Sequence, residues 1–331
     1  MVDEAADAIV AQDLSKIYKG AARGSTAVRA LDGLSFRVQP GTVYALLGPN
    51  GAGKTTTMRI LTTLSKPDRG QATIAGIDVL ARPGRARSVI GAVSQHSGAV
   101  GRLTGEENLL MQGGLHGMSG RKLRRRVADL LDLFGLAEAS KRQTRTYSGG
   151  MRRRLDVATV LVHRPAALFL DEPTTGLDPQ ARADLWSVLA DLVAAGTTIL
   201  VTTHYLEEAD QHAAKIAIVD RGRMVAEGTA DELKAGLRGD SIVIELDGPE
   251  GAERAEKVLV EVPEVTASSV NGSVVRARVA DGRRALPAVL SGLEAVRLGV
   301  RSVTVARPSL DDVYLHHSGR SFRQAEGMSA A

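Results

Sequence analysis

The 331-residue chain contains no cysteine. That absence removes disulfides, thiolate metal sites and cysteine nucleophiles from consideration. Aromatic residues make up only 3%, so any core has to be assembled from Val, Leu, Ile and Ala. Long apolar runs are also missing. A membrane span needs about 18 or more consecutive apolar residues, and the best run, 194–201, is broken by Gly196, Thr197 and Thr198. Residues 1–11 are mildly acidic and lack the basic segment followed by an apolar stretch that marks a secretory signal. Charge of either sign is not in excess. The 42 basic and 38 acidic residues leave a net charge of +4, which does not by itself call for a nucleic-acid partner. The expectation is a soluble, cytoplasmic chain. What is present, 44% hydrophobic residues, suffices for sizeable cores, and the length suggests two domains at roughly 100–200 residues each.

Residues 10–235 alternate apolar strands with helices at glycine punctuation. Buried strands are expected at 43–47, 167–170 and 198–202, and a helix over 55–64. A hairpin is expected where 216–219 and 223–225 flank Asp220-Arg221-Gly222. Strand–helix alternation implies a largely parallel sheet with helices on its faces. Composition shifts after 236–239. Beyond it, strands are expected at 241–246, 265–270, 274–279 and 300–306, and helices at 252–260 and 284–298. Asn271-Gly272 is a strong hairpin signal. That β-α-β-β-α-β order is the order of a ferredoxin-like unit. A short helix should follow Pro308, with Ser309 and Asp311 near its start. It would carry Leu310, Val313 and Tyr314 as an apolar stripe that has to cover either its own sheet or a partner. The last dozen residues are polar and expected to fray. The domain reading is thus 8–236, then 240–318, then a flexible tail at 319–331.

Gly48-Pro49-Asn50-Gly51-Ala52-Gly53-Lys54-Thr55 fits G-x-x-x-x-G-K-[ST] and sits between an expected strand and an expected helix, the context this motif requires. Its glycines let backbone N–H groups turn toward phosphate oxygens, and the helix N-terminus adds a positive dipole end. Lys54 is then placed to reach the β- and γ-phosphates, and the Thr55 hydroxyl to ligate Mg²⁺. Thr56 follows on the same first turn. Residues 168–170 end in the adjacent carboxylates Asp171 and Glu172. Two acids at one strand end carry a like-charge cost that a nearby cation relieves. Asp171 is the candidate to hold Mg²⁺ through water, and Glu172 the candidate general base for an attacking water.

Tyr147-Ser148-Gly149-Gly150-Met151, with Ser148 23 positions before Asp171, resembles the signature loop of the ABC ATPase family. Other marks of that family fall in its order. Gln95 stands at the Q-loop glutamine, which also makes it a Mg²⁺ candidate, and Gly176-Leu177-Asp178 resembles the D-loop. His204 resembles the switch histidine. Tyr18 is a candidate for stacking on adenine, with the insert 20–26 close behind it. The resemblance spans about residues 10–235. It implies an α/β P-loop nucleotide-binding domain with antiparallel β and helical subdomains (the latter about 96–160), ahead of the small C-terminal α+β domain read from the strand and helix pattern. It also implies a head-to-tail homodimer when ATP is bound, each ATP lying between one copy's phosphate loop and the Ser148, Gly149 and Gly150 nest of the other. The commonest signature begins with Leu and ends with Gln, so Tyr147 and Met151 are departures. Tyr-Ser-Gly-Gly-Met-Arg-Arg-Arg-Leu at 147–155, and Arg-Pro-Ser-Leu-Asp-Asp-Val-Tyr-Leu at 307–315, resemble the daunorubicin-resistance type of bacterial drug-export ATPase. That implies a drug or lipid-like cargo, a separate polytopic membrane permease, and a peripheral place on the cytoplasmic face of the membrane.

The competing reading is a soluble ABC ATPase of the ribosome or of DNA repair. Ribosomal members resemble two fused ATPase units, whereas one phosphate loop occurs here. Repair members insert a long coiled coil between Q-loop and signature, whereas Gln95 and Ser148 are 53 positions apart and no sustained heptads appear. Two basic runs stay open in this reading. Residues 121–126, five of six basic, read as a solvated helix face or as a membrane-facing surface. Arg152, Arg153 and Arg154 read as attracting nucleotide charge or as the solvent face of the signature helix.

Overall fold

The structure, a computed structural model, describes residues 7–19, 27–237, 239–296 and 298–329, so the insert 20–26 lies outside the described residues. It divides into two compact units between Val225 and Ala226. That boundary precedes the glycine-rich 236–239 where composition placed it.

The first unit opens with two long strands, β1 (Ile9–Tyr18) and β2 (Val28–Val38). The wholly buried β3 (Val43–Leu47) and helix α1 (Lys54–Leu61) follow, and the chain returns in β4 (Arg69–Ile74) and β5 (Ile77–Asp78). An antiparallel sheet of order β2-β1-β4-β5 results. Next come α2 (Pro83–Val89), β6 (Ile90–Val93) and three helices, α3 (Gly105–Leu115), α4 (Gly120–Leu133) and α5 (Gly149–Val160). The unit then runs through β7 (Ala167–Asp171), α6 (Pro179–Ala194), β8 (Thr198–Thr203), α7 (Leu206–His212) and β9 (Lys215–Asp220), and ends in β10 (Arg223–Gly228), where the chain passes to the second unit. The second sheet has the order β10-β9-β3-β8-β7-β6, with β9, β3, β8, β7 and β6 parallel. β3, β7 and β8 are buried along their whole length, so they read as continuous apolar runs rather than alternating ones.

The core of this unit joins both sheets. Ile9, Leu14, Leu31 and Phe36 share one cluster with Leu46, Phe169 and Leu200. Each such side chain contributes about 1.5–3 kcal/mol by leaving water. The aliphatic makeup expected from the shortage of aromatics is what is seen, with a Phe36–Tyr44 stack at 5.3 Å as one exception. Helix starts follow ordinary capping chemistry. Thr104 forms a reciprocal capping box with Glu107 on α3, and Asp178 accepts from the Ala181 amide ahead of Pro179 on α6. On α4, Arg121, Lys122, Arg124 and Arg125 are exposed, while Leu123, Val127, Leu130 and Leu131 are buried. The fifth basic residue of that run differs: the Arg126 guanidinium donates to the Leu161 carbonyl at 2.8 Å.

The second unit begins with α8 (Ala230–Ala235). It continues as β11 (Asp240–Leu246), α9 (Ala252–Val260), β12 (Val265–Asn271), β13 (Val274–Val279), α10 (Gly282–Ala295) and β14 (Val300–Ala306). The sheet order is β12-β13-β11-β14, antiparallel throughout. Its core is Ile242, Ile244, Val275, Ala277 and Val279 with Ala255, Leu259, Val289 and Leu293 from the two helices. After Pro308, α11 (Leu310–Ser318) starts at a Ser309–Asp312 capping box. Leu310, Val313 and Tyr314 are fully buried, so the apolar stripe is covered by the chain itself. The expected flexible tail is corrected as well. Residues 322–329 form α12 (Phe322–Ser329), with Phe322 buried edge-on against Tyr314 at 5.0 Å. Among the described residues, no helix is long and apolar enough to cross a membrane.

Candidate functional site

The turn 48–53 joins β3 to α1. Gly51 (φ 77°) and Gly53 (φ 107°) occupy the left-handed region, which only glycine enters freely. Close packing adds a second requirement. A Cβ on Gly53 would lie 2.5 Å from the Ala30 carbonyl oxygen, and one on Gly48 would lie 2.3 Å from that of Val219. Asn50 and Thr55 are exposed, Pro49 and Ala52 buried, and Thr56 half-buried. Lys54 is only 5% exposed. Its Nζ curls back over the loop, donating to the Gly48 carbonyl at 2.5 Å and the Pro49 carbonyl at 3.2 Å. It also lies 3.6 Å from Glu172 Oε1.

The strand register brings the C-terminal ends of β3, β6, β7 and β8 to one edge. Leu47 pairs with Thr203, Asp171 with Thr202, and Val93 with Leu170. There Asp171 Oδ1 accepts from Thr202 Oγ1 at 2.6 Å and from Thr55 Oγ1 at 3.4 Å. Glu172, 8% exposed, has φ 47°, a strained conformation of a kind that costs about 1–3 kcal/mol and gathers at functional sites. Its amide is held by the Thr202 carbonyl at 3.1 Å and by Thr202 Oγ1 at 3.0 Å. Its Oε2 lies 3.3 Å from His204 Nδ1, at ion-pair distance rather than in a formed hydrogen bond. The His204 ring first, and the Lys54 charge after it, hold the Glu172 carboxyl below the usual range against the upward push of burial. The carboxylate is therefore ionised at neutral pH and set between two nitrogen groups.

The oxygen donors around Asp171 suit a hard divalent cation that takes one or two carboxylates and completes its shell with water and phosphate. Among the described residues no cluster of three or more His, Cys, Asp and Glu side chains is arranged to hold a metal, which such a shell does not need. Gln95 is exposed two residues beyond the end of β6, at the same sheet edge. Tyr18 is half-exposed at the end of β1, with Lys16 Nζ 5.7 Å from its ring centre.

Ser148 is the N-cap of α5 and accepts from the Met151 amide at 3.2 Å. Ser148 and Gly149 are exposed. Tyr147, a departure from the commonest signature, is buried and donates its hydroxyl to the Ala139 carbonyl at 2.7 Å. Gly105 makes room for it: a Cβ there would sit 2.3 Å from Tyr147 Oη. Both open readings of Arg153 are corrected, because it is buried and donates to backbone carbonyls. Nε reaches Pro173 at 2.8 Å, Nη1 reaches Ser94 at 2.5 Å, and Nη2 reaches Asp171 at 3.0 Å and Glu172 at 3.1 Å. Arg152 and Arg154 donate to the carbonyls of Arg145 and Phe134. Two further residues escape sequence reasoning. Buried Asp156 accepts from Ser97 Oγ and the Gly98 amide. Buried Glu208 accepts from Thr174 Oγ1 at 2.8 Å and pairs with Arg182 at 3.3 Å.

Residues 31–175 match the ABC transporter family, and 228–318 match the C-terminal domain of ATP-binding proteins of the DrrA1-3 type. The chain is 45% identical to the daunorubicin/doxorubicin resistance ATP-binding protein of Streptomyces peucetius, over 94% of this chain and 92% of that protein. It is 33% identical to the linearmycin resistance ATP-binding protein of Bacillus subtilis, over 88% and 94%. Among solved structures, an ATP-binding subunit of an ABC transporter aligns with TM-score 0.61 at 30% identity, covering 69% of this chain and 92% of that one. A dimeric ATP-binding cassette in a post-hydrolysis state with ADP and Pi aligns with TM-score 0.61 at 26% identity, covering 67% and 98%. A phosphate loop, a buried carboxylate pair and a signature helix on one parallel sheet agree with those likenesses, and the chain belongs to the ATP-binding subunits of ABC transporters, of the daunorubicin-resistance type, which couple ATP hydrolysis to transport.

Proposed function

We propose that two copies of this chain close around two ATP molecules and drive export of a drug or lipid-like substrate through a separate polytopic membrane subunit. That subunit holds the chain at the cytoplasmic face of the membrane. The observation that carries the reading is the Glu172 carboxylate, ionised and fixed between Lys54 and His204 where β3, β7 and β8 end. Backbone amides of 48–53, Lys54, Thr55 and Thr56 bind the phosphates, and Tyr18 stacks on adenine. Glu172 takes the proton of the attacking water, and His204 orients it and contacts the γ-phosphate. Thr55, Asp171 and Gln95 would hold Mg²⁺, which when bound neutralises charge on the β- and γ-phosphates. Ser148, Gly149 and Gly150 form a second anion nest at the start of α5, facing the ATP of the other copy. The roles of the relatives, resistance to daunorubicin, doxorubicin and linearmycin, favour export over a ribosomal or repair function.

The paired substitutions Gly51→Cys and Ser148→Cys test the composite site against a background without native cysteine. An intermolecular crosslink that forms with ATP, and with neither single variant, is expected. A crosslink insensitive to ATP, or formed within one chain, would refute the head-to-tail arrangement.

A further inference from the structure

Arg153 has no role in the reading above, yet its surroundings are costly to build. A guanidinium is buried against four backbone carbonyls, with no carboxylate at ion-pair distance among the described contacts. Burying a cation this way carries a large desolvation penalty, and a leucine or methionine would fill α5 more cheaply. What the arginine offers is geometry, a rigid planar fork of five N–H donors.

Three of its acceptors are the consecutive carbonyls of Asp171, Asp171's neighbour Glu172, and Pro173. They lie where β7 gives out and Glu172 turns into the left-handed region. These carbonyls need partners from outside the sheet. Thr202 holds the amide side of Glu172, so Arg153 completes the grip on its carbonyl side. The fourth acceptor, Ser94, immediately precedes Gln95. One turn further along α5, on the same face, Asp156 accepts from Ser97 Oγ at 2.9 Å and the Gly98 amide at 3.1 Å. The loop carrying Gln95 is thus bolted to α5 on both sides.

We propose that Arg153 and Asp156 form a strut by which the signature helix sets the positions of Glu172 and of the Gln95 loop in its own chain. They are positioning residues for ATP hydrolysis that contact no nucleotide. The inference rests on the reading of Glu172 as the base. It adds a consequence: since Ser148 caps the same helix, any shift of α5 on meeting the other copy's ATP is passed rigidly to the hydrolytic residues of its own site.

The test uses the full-length chain and compares Arg153→Lys, which keeps the charge but loses the fork, and Asp156→Asn with wild type and Glu172→Gln. A displacement on the order of 1 Å costs about 10²-fold in rate. The expected result is a kcat lowered about 10- to 100-fold in Arg153→Lys and about 3- to 10-fold in Asp156→Asn, with KM for ATP within about threefold of wild type. Added guanidinium ion at millimolar concentration should restore part of kcat to Arg153→Ala and leave wild type unchanged. A folded Arg153→Lys with wild-type kcat, or with raised KM and unchanged kcat, overturns the strut, provided Glu172→Gln is inactive beside it. An active Glu172→Gln instead overturns the assignment of the base. Should the arginine variants not fold, Ser97→Ala, an exposed change, carries the test: a lowered kcat supports the strut and an unchanged one overturns it.

Discussion

Glu172→Gln preserves side-chain shape and removes one charge. Two effects compete. At 3.6 Å and an effective dielectric near 20, the Lys54–Glu172 attraction is about 4–5 kcal/mol gross. Desolvation of two nearly buried groups offsets much of it, so the net change in stability is small. The rate effect has no such offset, because a positioned base contributes about 10²–10⁴-fold, or about 3–5 kcal/mol of barrier. The variant should therefore fold, bind ATP and fail to hydrolyse it. Single-turnover hydrolysis combined with size exclusion in ATP reads this directly: the variant should run as a dimer with ATP retained, and wild type mainly as a monomer. The pH dependence follows from the lowered carboxyl. Its ionisation stabilises wild type above the unfolded value, near 4.3, and that contribution disappears as pH falls through the lower folded value. The stability difference between wild type and variant should thus shrink between neutral pH and strong acid. Hydrolysis by Glu172→Gln within twofold of wild type would refute the assignment.

Lys54→Ala removes a cation held against the phosphate loop. Equilibrium titration should show ATP binding weakened about tenfold or more, the worth of a charge-assisted hydrogen bond, and unchanged affinity would sink the phosphate-loop reading. Gly105→Ala forces a Cβ to 2.3 Å from Tyr147 Oη. Thermal unfolding should show a loss of about 1–3 kcal/mol, largely recovered in the double variant with Tyr147→Phe; no loss in the single variant would contradict the packing. Truncation after Leu237 should leave ATP affinity of the isolated chain near wild type, because every candidate nucleotide residue lies between Tyr18 and His204; lost binding in a soluble, folded truncation would count against that independence.

Much of the strand framework of both units was legible. β3, β13 and β14 have the bounds the apolar pattern predicts, while the helix expected over 55–64 runs as α1 from Lys54 to Leu61. β3 is a continuous buried run and β13 buries alternate residues, patterns that local reading detects. Three misses turn on a partner that the local pattern does not show. α12 looks polar along its length, yet Phe322 finds Tyr314. α8 reads as the end of the first domain, yet it belongs to the second unit. Arg153 stands in a run of three arginines, and only the folded chain distinguishes the one that turns inward to four carbonyls from its two neighbours. The helix expected over 284–298 starts two residues earlier, because Asp281 caps it by accepting from the Arg283 and Arg284 amides.

In the proposed head-to-tail arrangement, ATP is hydrolysed only where the phosphate loop of one copy meets Ser148 of another. Ser148→Arg, assayed for nucleotide affinity and turnover on the same preparation, tests it most directly. Ser148 and Gly149 are exposed, so the folded monomer tolerates the bulk. ATP binding should stay close to wild type with hydrolysis near background, and activity should partly recover on mixing with Lys54→Ala, since one mixed site then pairs an intact Lys54 with an intact Ser148. Wild-type turnover by Ser148→Arg alone would contradict it.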